Sequence, residues 1–190
     1  MVQLFRKDFL DERGLGDFKE VSDIKSQIPR LTGYLRGKLE WKCGDVYEMI
    51  TTEASVKICR SIMKELFMPI YFPSGRSLKQ LYKGDRRPKS MEKKKWIDRT
   101  KLISLEDFKK TAQATKEIIG ESYKNYIFIA TSIIEILTLH QLIKNGHKVF
   151  NIYDGFYSNE DIGDLIEKTV SDRVKYFKHS LLNFENFKKL

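Results

Sequence analysis

The sequence predicts an α+β fold that is rich in helix and contains one small antiparallel sheet. Apolar residues recur every three or four positions in several segments, which is typical of amphipathic helices. Residues 148–158 instead contain aromatic and β-branched residues on both sides of Asp154-Gly155, a pair that is common in hairpin turns. The length of 190 residues suits one ordinary domain or one piece of a larger assembly.

The N-terminal half predicts two helices. Residues 1–16 begin with a short apolar patch, and residues 17–40 mix polar and apolar positions and include a loop-like segment. From Asp45 to Met68 the apolar spacing predicts one long helix, which Pro69 should break or kink. The segment SLKQLYKG that follows predicts a short helix.

The C-terminal half predicts three helices around the hairpin. Residues 104–122 open with a capping pattern, Ser104 followed by Asp107, and continue as an amphipathic helix. Residues 128–144 predict a largely buried helix that Asn145-Gly146 stops. The helix after the hairpin has an apolar stripe, which consists of Ile162, Leu165, Ile166, Val170, Val174 and Phe177.

The charge of the chain points to a polyanionic partner, with nucleic acid as the first expectation. The net charge is +9 and the isoelectric point is about 9.4. Residues 83–101 contain nine Lys or Arg and three acidic residues, a net charge of +6. A merely solvated basic face is the alternative. The expected contacts to nucleic acid are Lys83, Arg86, Arg87, Lys89, Lys93, Lys94 and Lys95.

Cysteine usage and hydropathy predict an intracellular protein. Cys43 and Cys59 have no zinc-like spacing, which favours a reducing compartment, cytoplasmic or otherwise, with an organellar or viral origin left open. The N-terminus has no signal-peptide pattern, and no run of 18 apolar residues occurs. We therefore expect no membrane partner.

Two groups around residues 60–72 are candidates for nucleotide binding. Arg60 and Lys64 are four residues apart and share a helix face, where two cations could hold a triphosphate. Tyr71 and Phe72 follow and could stack on a base or sugar. The alternatives are an exposed basic face and an aromatic core at the end of the helix.

Asp11 and Asp154 are candidate metal ligands. Both follow apolar residues and lie beside glycine-containing turns. Two such carboxylates can hold two Mg²⁺ ions about 4 Å apart for phosphoryl transfer. Alternatively, Asp154 serves only the turn.

The order of these segments resembles the polymerase core shared by bacteriophage and mitochondrial single-subunit RNA polymerases and family A DNA polymerases. LDERGLGDF resembles motif A, and GDVYEMI resembles the Asp-hydrophobic-Tyr that follows it in those RNA polymerases. RSIMKELFMPIYFPS is similar to motif B, with its Arg-x3-Lys-x3-Met pattern, and NIYDGFYS is similar to motif C.

This resemblance implies a palm-and-fingers piece of a nucleotidyltransferase, with residues 1–190 as one unit. Residues 45–127 would be fingers-like, and residues 1–44 and 128–190 palm-like. The chain would be a catalytic subunit of a split DNA-dependent RNA polymerase, which works with other subunits on a nucleic-acid template. A family A DNA polymerase fragment and a non-catalytic basic nucleic-acid-binding subunit remain alternatives.

The resemblance also implies residue roles. Asp11 and Asp154 would bind two Mg²⁺ ions, and Arg60 would hold the triphosphate. Lys64 would hold it too, or protonate the leaving pyrophosphate as a catalytic residue. Tyr71 or Phe72 would lie at the sugar and base.

Overall fold

The computed structural model describes residues 13–23, 27–73, 75–83, 99–124, 126–152 and 155–187. Within these ranges the α+β prediction is confirmed, with seven α-helices, a short 3-10 helix at Arg99–Lys101 and one three-stranded antiparallel sheet. The strands are β1 (Lys19–Asp23), β2 (Val149–Ile152) and β3 (Gly155–Ser158). The helices are α1 (Gln27–Leu35), α2 (Val46–Glu53), α3 (Arg60–Tyr71), α4 (Leu78–Lys83), α5 (Leu105–Ile119), α6 (Tyr126–Lys144) and α7 (Gly163–Phe187).

The chain forms two compact units. Residues 1–27 and 128–190 form the first, which we call the sheet unit, and residues 28–127 form the second, the helical unit. The sheet unit is discontinuous in sequence, because the whole helical unit is inserted between β1 and β2.

The predicted hairpin is present in the sheet unit. Strands β2 and β3 pair antiparallel, and Ile152 lies opposite Gly155. Gly155, which the sequence predicted as a turn residue, therefore belongs to β3, and only Tyr153 and Asp154 connect the strands. All four residues of β3 are buried, as suits the central strand in the order β1-β3-β2.

Strand β1 was not predicted. Its sequence KEVSD contains only one β-branched residue and no aromatic one, so its strand propensity is weak. It forms against β3, with Glu20 opposite Tyr157 and Asp23 opposite Gly155. A bulge between Glu20 and Ser22 interrupts the register. Pairing with the edge of a stable hairpin therefore overrides the weak local preference.

Helix α7 packs against β1. Its predicted stripe is confirmed in the first part of the helix, where Ile166, Val170 and Val174 are almost fully buried. Gly163 begins the helix so close to β1 that a Cβ there would lie 2.8 Å from the Val21 carbonyl oxygen. This close approach requires glycine.

Helix α6 begins and ends close to its predicted bounds, but the prediction that it is largely buried is wrong. The helix is apolar on every side, yet only a third of it is buried. Its length and composition would allow it to cross a membrane. The sequence predicts no such helix, because it contains no uninterrupted run of 18 apolar residues. The sheet unit covers one face of a helix that has no polar face, which leaves apolar side chains exposed.

The predicted helix from Asp45 to Met68 is two helices, α2 and α3. Helix α2 ends at Glu53 with Ala54 as its C-cap, and Ser55 adopts a left-handed conformation with φ of 54°. The Ser55 N–H donates to Thr52 O and the Val56 N–H donates to Thr51 O, the pair of bonds of a Schellman motif. Glycine is the residue that usually indicates a Schellman motif, and serine occupies its position here. The sequence therefore did not reveal the break between α2 and α3.

Replacing Ser55 by glycine should stabilise the protein. Glycine adopts the left-handed conformation without the penalty of a Cβ, so Ser55→Gly should raise the free energy of unfolding by about 0.5–1 kcal/mol. Thermal unfolding followed by circular dichroism measures the gain. Ser55→Ala is the control, because it keeps the Cβ and should give no gain. An unchanged or lower melting temperature for Ser55→Gly would contradict the assignment.

Pro69 neither breaks nor ends α3 where the sequence predicted. The helix continues to Tyr71, with Pro69 inside it. Proline removes only one backbone hydrogen bond, and the helix ends two residues later, where Phe72 N donates to Met68 O at 2.9 Å. Burial of Phe67 and Tyr71 anchors this last turn in the core.

The short helix and the capped helix are both confirmed. Helix α4 begins after Ser77, whose Oγ accepts from Gln80 N while Gln80 Oε1 accepts from Ser77 N. Helix α5 begins after Ser104, whose Oγ accepts from Asp107 N at 3.0 Å. Both helices contribute to one apolar cluster, which consists of Leu66, Leu81, Ile103 and Phe108.

Helix α1 lies where the sequence predicted no regular element. Pro29 is in its first turn, where a missing N–H is tolerated. Leu31 and Thr32 are almost fully buried, so packing within the helical unit stabilises this short helix.

Candidate functional site

The two-residue connection between β2 and β3 is the candidate site with the strongest sequence signal. Tyr153 and Asp154 themselves lie outside the described residues, as does Asp11. The strands on either side of the connection, β2 and β3, are described.

The end of β1 lies beside the first residue of β3. Asp23, the last residue of β1, pairs with Gly155, which directly follows Asp154 in the chain. Sequence analysis missed Asp23 because it missed β1. The available signal was weak: an acidic residue ends a short segment in which Val21 is the single apolar residue.

A second acidic residue of β1 lies at the same strand pair. Glu20 Oε2 accepts a hydrogen bond from the Tyr157 hydroxyl at 3.0 Å. Its other oxygen, Oε1, would lie only 3.2 Å from a Cβ built on Gly155. A side chain at position 155 would therefore press on the Glu20 carboxylate.

Glu20 is the described carboxylate at this strand pair, and carboxylate oxygens are the ligands that Mg²⁺ prefers. Among the residues that the structure describes, no group of three or more His, Cys, Asp or Glu side chains is arranged to hold a metal. The two-Mg²⁺ prediction rests on Asp11 and Asp154 and stays a prediction.

Arg60 has an acidic partner that the sequence did not reveal. Its Nε donates to Asp45 Oδ2 in an ion pair, and its guanidinium lies 5.4 Å from the centre of the Tyr47 ring. Arg60 and Lys64 are therefore not a pair of cations without a nearby acid. Instead, Asp45 joins the start of α2 to the start of α3.

Asp45 serves two helices at once. Its Oδ1 caps α2 by accepting from Tyr47 N at 2.8 Å, while Oδ2 binds Arg60. Partial burial by itself raises the pKa of Asp45, but the hydrogen bonds from Arg60 and Tyr47 N outweigh this and lower the pKa below its ordinary value. The charged carboxylate is thus the stable form, and its ion pair with Arg60 links the starts of the two helices.

Lys64 is exposed on α3, one turn after Arg60. Its position therefore leaves it accessible to an anion, as the sequence predicted from the four-residue spacing. Phe72 is half-buried at the end of α3 and contacts the Tyr71 ring edge-on, with 4.6 Å between the ring centres.

Tyr71 is a core residue of the helical unit. Its side chain is almost fully buried, and its hydroxyl lies 2.7 Å from Thr32 Oγ1 and accepts from Tyr123 N at 3.1 Å. Its ring stacks on Phe67, with 5.2 Å between the ring centres. This geometry does not support a contact between Tyr71 and a nucleotide; it supports the aromatic core that was the alternative.

Most of the predicted nucleic-acid contacts lie outside the described residues: Arg86, Arg87, Lys89, Lys93, Lys94 and Lys95. Lys83 is described and is exposed at the end of α4. Its position is compatible with a phosphate contact, and the rest of the basic segment stays a prediction.

The opposite end of the hairpin is held by Glu160. Its Oε2 accepts from His147 Nδ1 at 2.8 Å, and its Oε1 accepts from Lys148 N at 3.0 Å. Ser158 completes the group, because its Oγ donates to Lys148 O and accepts from Glu160 N. These bonds connect the first residue before β2 with the turn after β3.

Glu160 should make stability depend on pH. The hydrogen bond from His147 and that from Lys148 N lower its pKa from the ordinary value of 4.5. A depressed carboxylate pKa stabilises the fold above the unfolded-state value, and this stabilisation is lost as the pH falls through the folded-state pKa. Glu160→Gln should therefore lower the urea midpoint at about pH 7 much more than at about pH 3.

Urea titrations of the wild type and Glu160→Gln across this pH range provide the measurement. Asp161→Asn is the matched control, since Asp161 is the exposed neighbour and its replacement should change the midpoint less. An equal decrease of the urea midpoint at both ends of the pH range would show that the charge of Glu160 does not cause the loss of stability.

Comparison of the chain with protein-family models, with curated proteins and with solved structures finds no match.

Proposed function

We propose that this chain is a catalytic piece of a nucleotidyltransferase, of the kind found in single-subunit RNA polymerases. The observation that carries the proposal is the register of β1 on β3. It brings the end of one acidic strand, at Asp23, opposite the residue that follows Asp154. Two carboxylates at adjacent strand ends are the arrangement that two-metal phosphoryl transfer uses.

The proposal assigns the metal-binding role to Asp154 together with a second carboxylate. Asp11 is the partner that the motif resemblance implies, and Asp23 is the partner that the strand register favours. Bound Mg²⁺ would neutralise charge on a transferring phosphoryl group. Lys64, exposed on α3, is by itself a candidate phosphate-binding cation of the helical unit.

The test is incorporation of labelled nucleotides on a primed template in the presence of Mg²⁺, with the chain alone and with proteins that co-purify with it. We expect the wild-type chain to incorporate nucleotides and either Asp23→Asn or Asp11→Asn to abolish this activity. The variant that abolishes it identifies the second carboxylate. Asp17→Asn is the matched control, because Asp17 is an exposed acid outside β1. No incorporation under either condition would refute a catalytic role.

The non-catalytic basic subunit is the second candidate. The observation that favours it is the ion pair of Arg60 with Asp45, which occupies a cation that triphosphate binding would use. This candidate expects nucleic-acid binding that weakens steeply with salt, without nucleotide incorporation. A binding titration at several salt concentrations, run beside the incorporation assay, distinguishes the two.

A further inference from the structure

Helix α6 exposes a row of apolar side chains at coiled-coil spacing. The row consists of Tyr126, Ile129, Ile133, Ile136 and Ile143, with exposed His140 completing it, and Phe128 is exposed beside the row. The intervals between successive members alternate between three and four residues. This is the a/d pattern of a helix that packs against another helix along one seam.

The row is much more exposed than apolar residues in a core. Tyr126 is 74% exposed, Ile136 is 63% exposed and Ile143 is 57% exposed. From residue 126 to residue 143 the row runs for about 26 Å along the helix. An exposed apolar strip of this size on a soluble surface marks an interaction site.

We infer that this row is the interface of a homodimer, in which α6 of one copy packs antiparallel against α6 of a second copy. The spacing is self-complementary about a two-fold axis between Ile133 and Ile136. Such an axis pairs Ile133 with Ile136 of the second copy, Ile129 with His140, and Tyr126 with Ile143. Every pair then joins an a position to a d position, which is the pairing of antiparallel helices.

The contact surface lacks the like charges that would oppose a second copy directly. The chain carries a net charge of +9, so a contact surface with few charged residues avoids placing like charges next to each other in the interface. The row and the residues on either side of it contain no Lys, Arg, Asp or Glu between Tyr126 and Ile143 except Glu135. Glu135 is bonded within its own chain, where it accepts from Gln27 Nε2 at 2.8 Å.

The available area is also sufficient. The exposed fractions correspond to roughly 500–700 Å² of apolar surface on each copy, since one aromatic side chain alone buries about 150–250 Å². Two copies would bury roughly 1,000–1,400 Å², which reaches the lower range of specific interfaces. An antiparallel arrangement also separates the two His140 side chains, which a parallel one would stack.

Lipid fits this helix less well than a second copy does. At its middle, Glu135 binds Gln27 and Asn151, so polar groups of the same chain lie against α6. If α6 crossed a bilayer, Gln27 and Asn151 would lie in its interior, where lipid offers no hydrogen-bond partners for the backbone of these segments.

The test is the mass of the purified full chain by sedimentation velocity over about 1–200 µM, a range that covers micromolar dissociation constants. We expect a concentration-dependent dimer. Ile136→Glu should raise the dissociation constant at least about 100-fold, because it buries an unpaired charge in the interface. Tyr176→Glu is the matched control, since Tyr176 is 62% exposed on α7, and it should leave the dimer intact.

Cross-linking tests the geometry independently. In a background with Cys43→Ser and Cys59→Ser, mixing the Ile133→Cys chain with the Ile136→Cys chain should give the mixed disulfide. Disulfides formed mainly between two Ile133→Cys chains would indicate a parallel pair and overturn the proposal. Far-ultraviolet circular dichroism checks that each variant is folded.

Two further outcomes would refute the dimer. One is a wild-type chain that stays monomeric over the whole concentration range. The other is a wild-type chain that floats with phosphatidylcholine and phosphatidylserine vesicles while Ile136→Glu does not, because the row would then bind lipid.

Discussion

Asp154→Asn should lower nucleotide incorporation by at least about 100-fold, which corresponds to about 2.7 kcal/mol in the activation barrier. Asparagine has nearly the same size as aspartate and is also common in hairpin turns, so the fold should be retained. The substitution removes the negative charge and one carboxylate oxygen, which weakens binding of a divalent cation. The expected result is thus loss of activity without loss of structure.

The measurement compares initial rates of incorporation at saturating nucleotide for the wild type and the variant. Melting temperatures measured on the same preparations establish that both are folded. Asp161→Asn is the control, because Asp161 is an exposed acid of the sheet unit outside the hairpin, and its rate should match the wild type. Activity of Asp154→Asn within about threefold of the wild type, less than 1 kcal/mol in the barrier, would exclude a metal-binding role.

Tyr71→Ala should destabilise the protein by about 3–5 kcal/mol, the largest effect on stability that we expect from a single side chain. The substitution removes a ring that is 3% exposed and stacks on Phe67. It also leaves Thr32 and the Tyr123 N–H without their shared hydroxyl partner. Tyr71→Phe isolates this polar part and should cost about 1–3 kcal/mol.

Urea unfolding gives both free energies, and Tyr126→Phe provides the control. Tyr126 is 74% exposed, so loss of its hydroxyl should change stability little. A nucleotide-binding role for Tyr71 predicts a different result, in which Tyr71→Phe weakens nucleotide binding without destabilising the fold. That outcome would contradict the core role described here.

Several elements could be predicted from the sequence because their signals are local. The capping residues Ser77 and Ser104 satisfy N–H groups within the next turn, so their effect needs no distant partner. The stripe of α7 and the Asn145-Gly146 stop of α6 are read from neighbouring positions in the same way. The hairpin of β2 and β3 needs only a connection of two residues.

The candidate site was predicted only in part, for the same reason. Asp154 could be found because it interrupts an apolar hairpin, and Lys64 because it shares a helix face with Arg60. Asp23 could not be found, since its importance depends on β1 pairing with a strand more than 130 residues later in the chain. The acid that pairs with Arg60 lies 15 residues earlier, across the break between two helices.

The sequence by itself determined the α+β class, the bounds of α4, α5 and α6 to within a few residues, and the hairpin, because hydrophobic periodicity, caps and turn residues act over a few positions. Only the tertiary structure decided the other features. It formed β1 from a segment of weak strand propensity, buried Tyr71, and left one face of α6 exposed. Each of these depends on which distant surfaces are available to cover a segment. Pairing and burial across long sequence separations contribute more free energy than local propensity, so the local pattern does not determine the outcome.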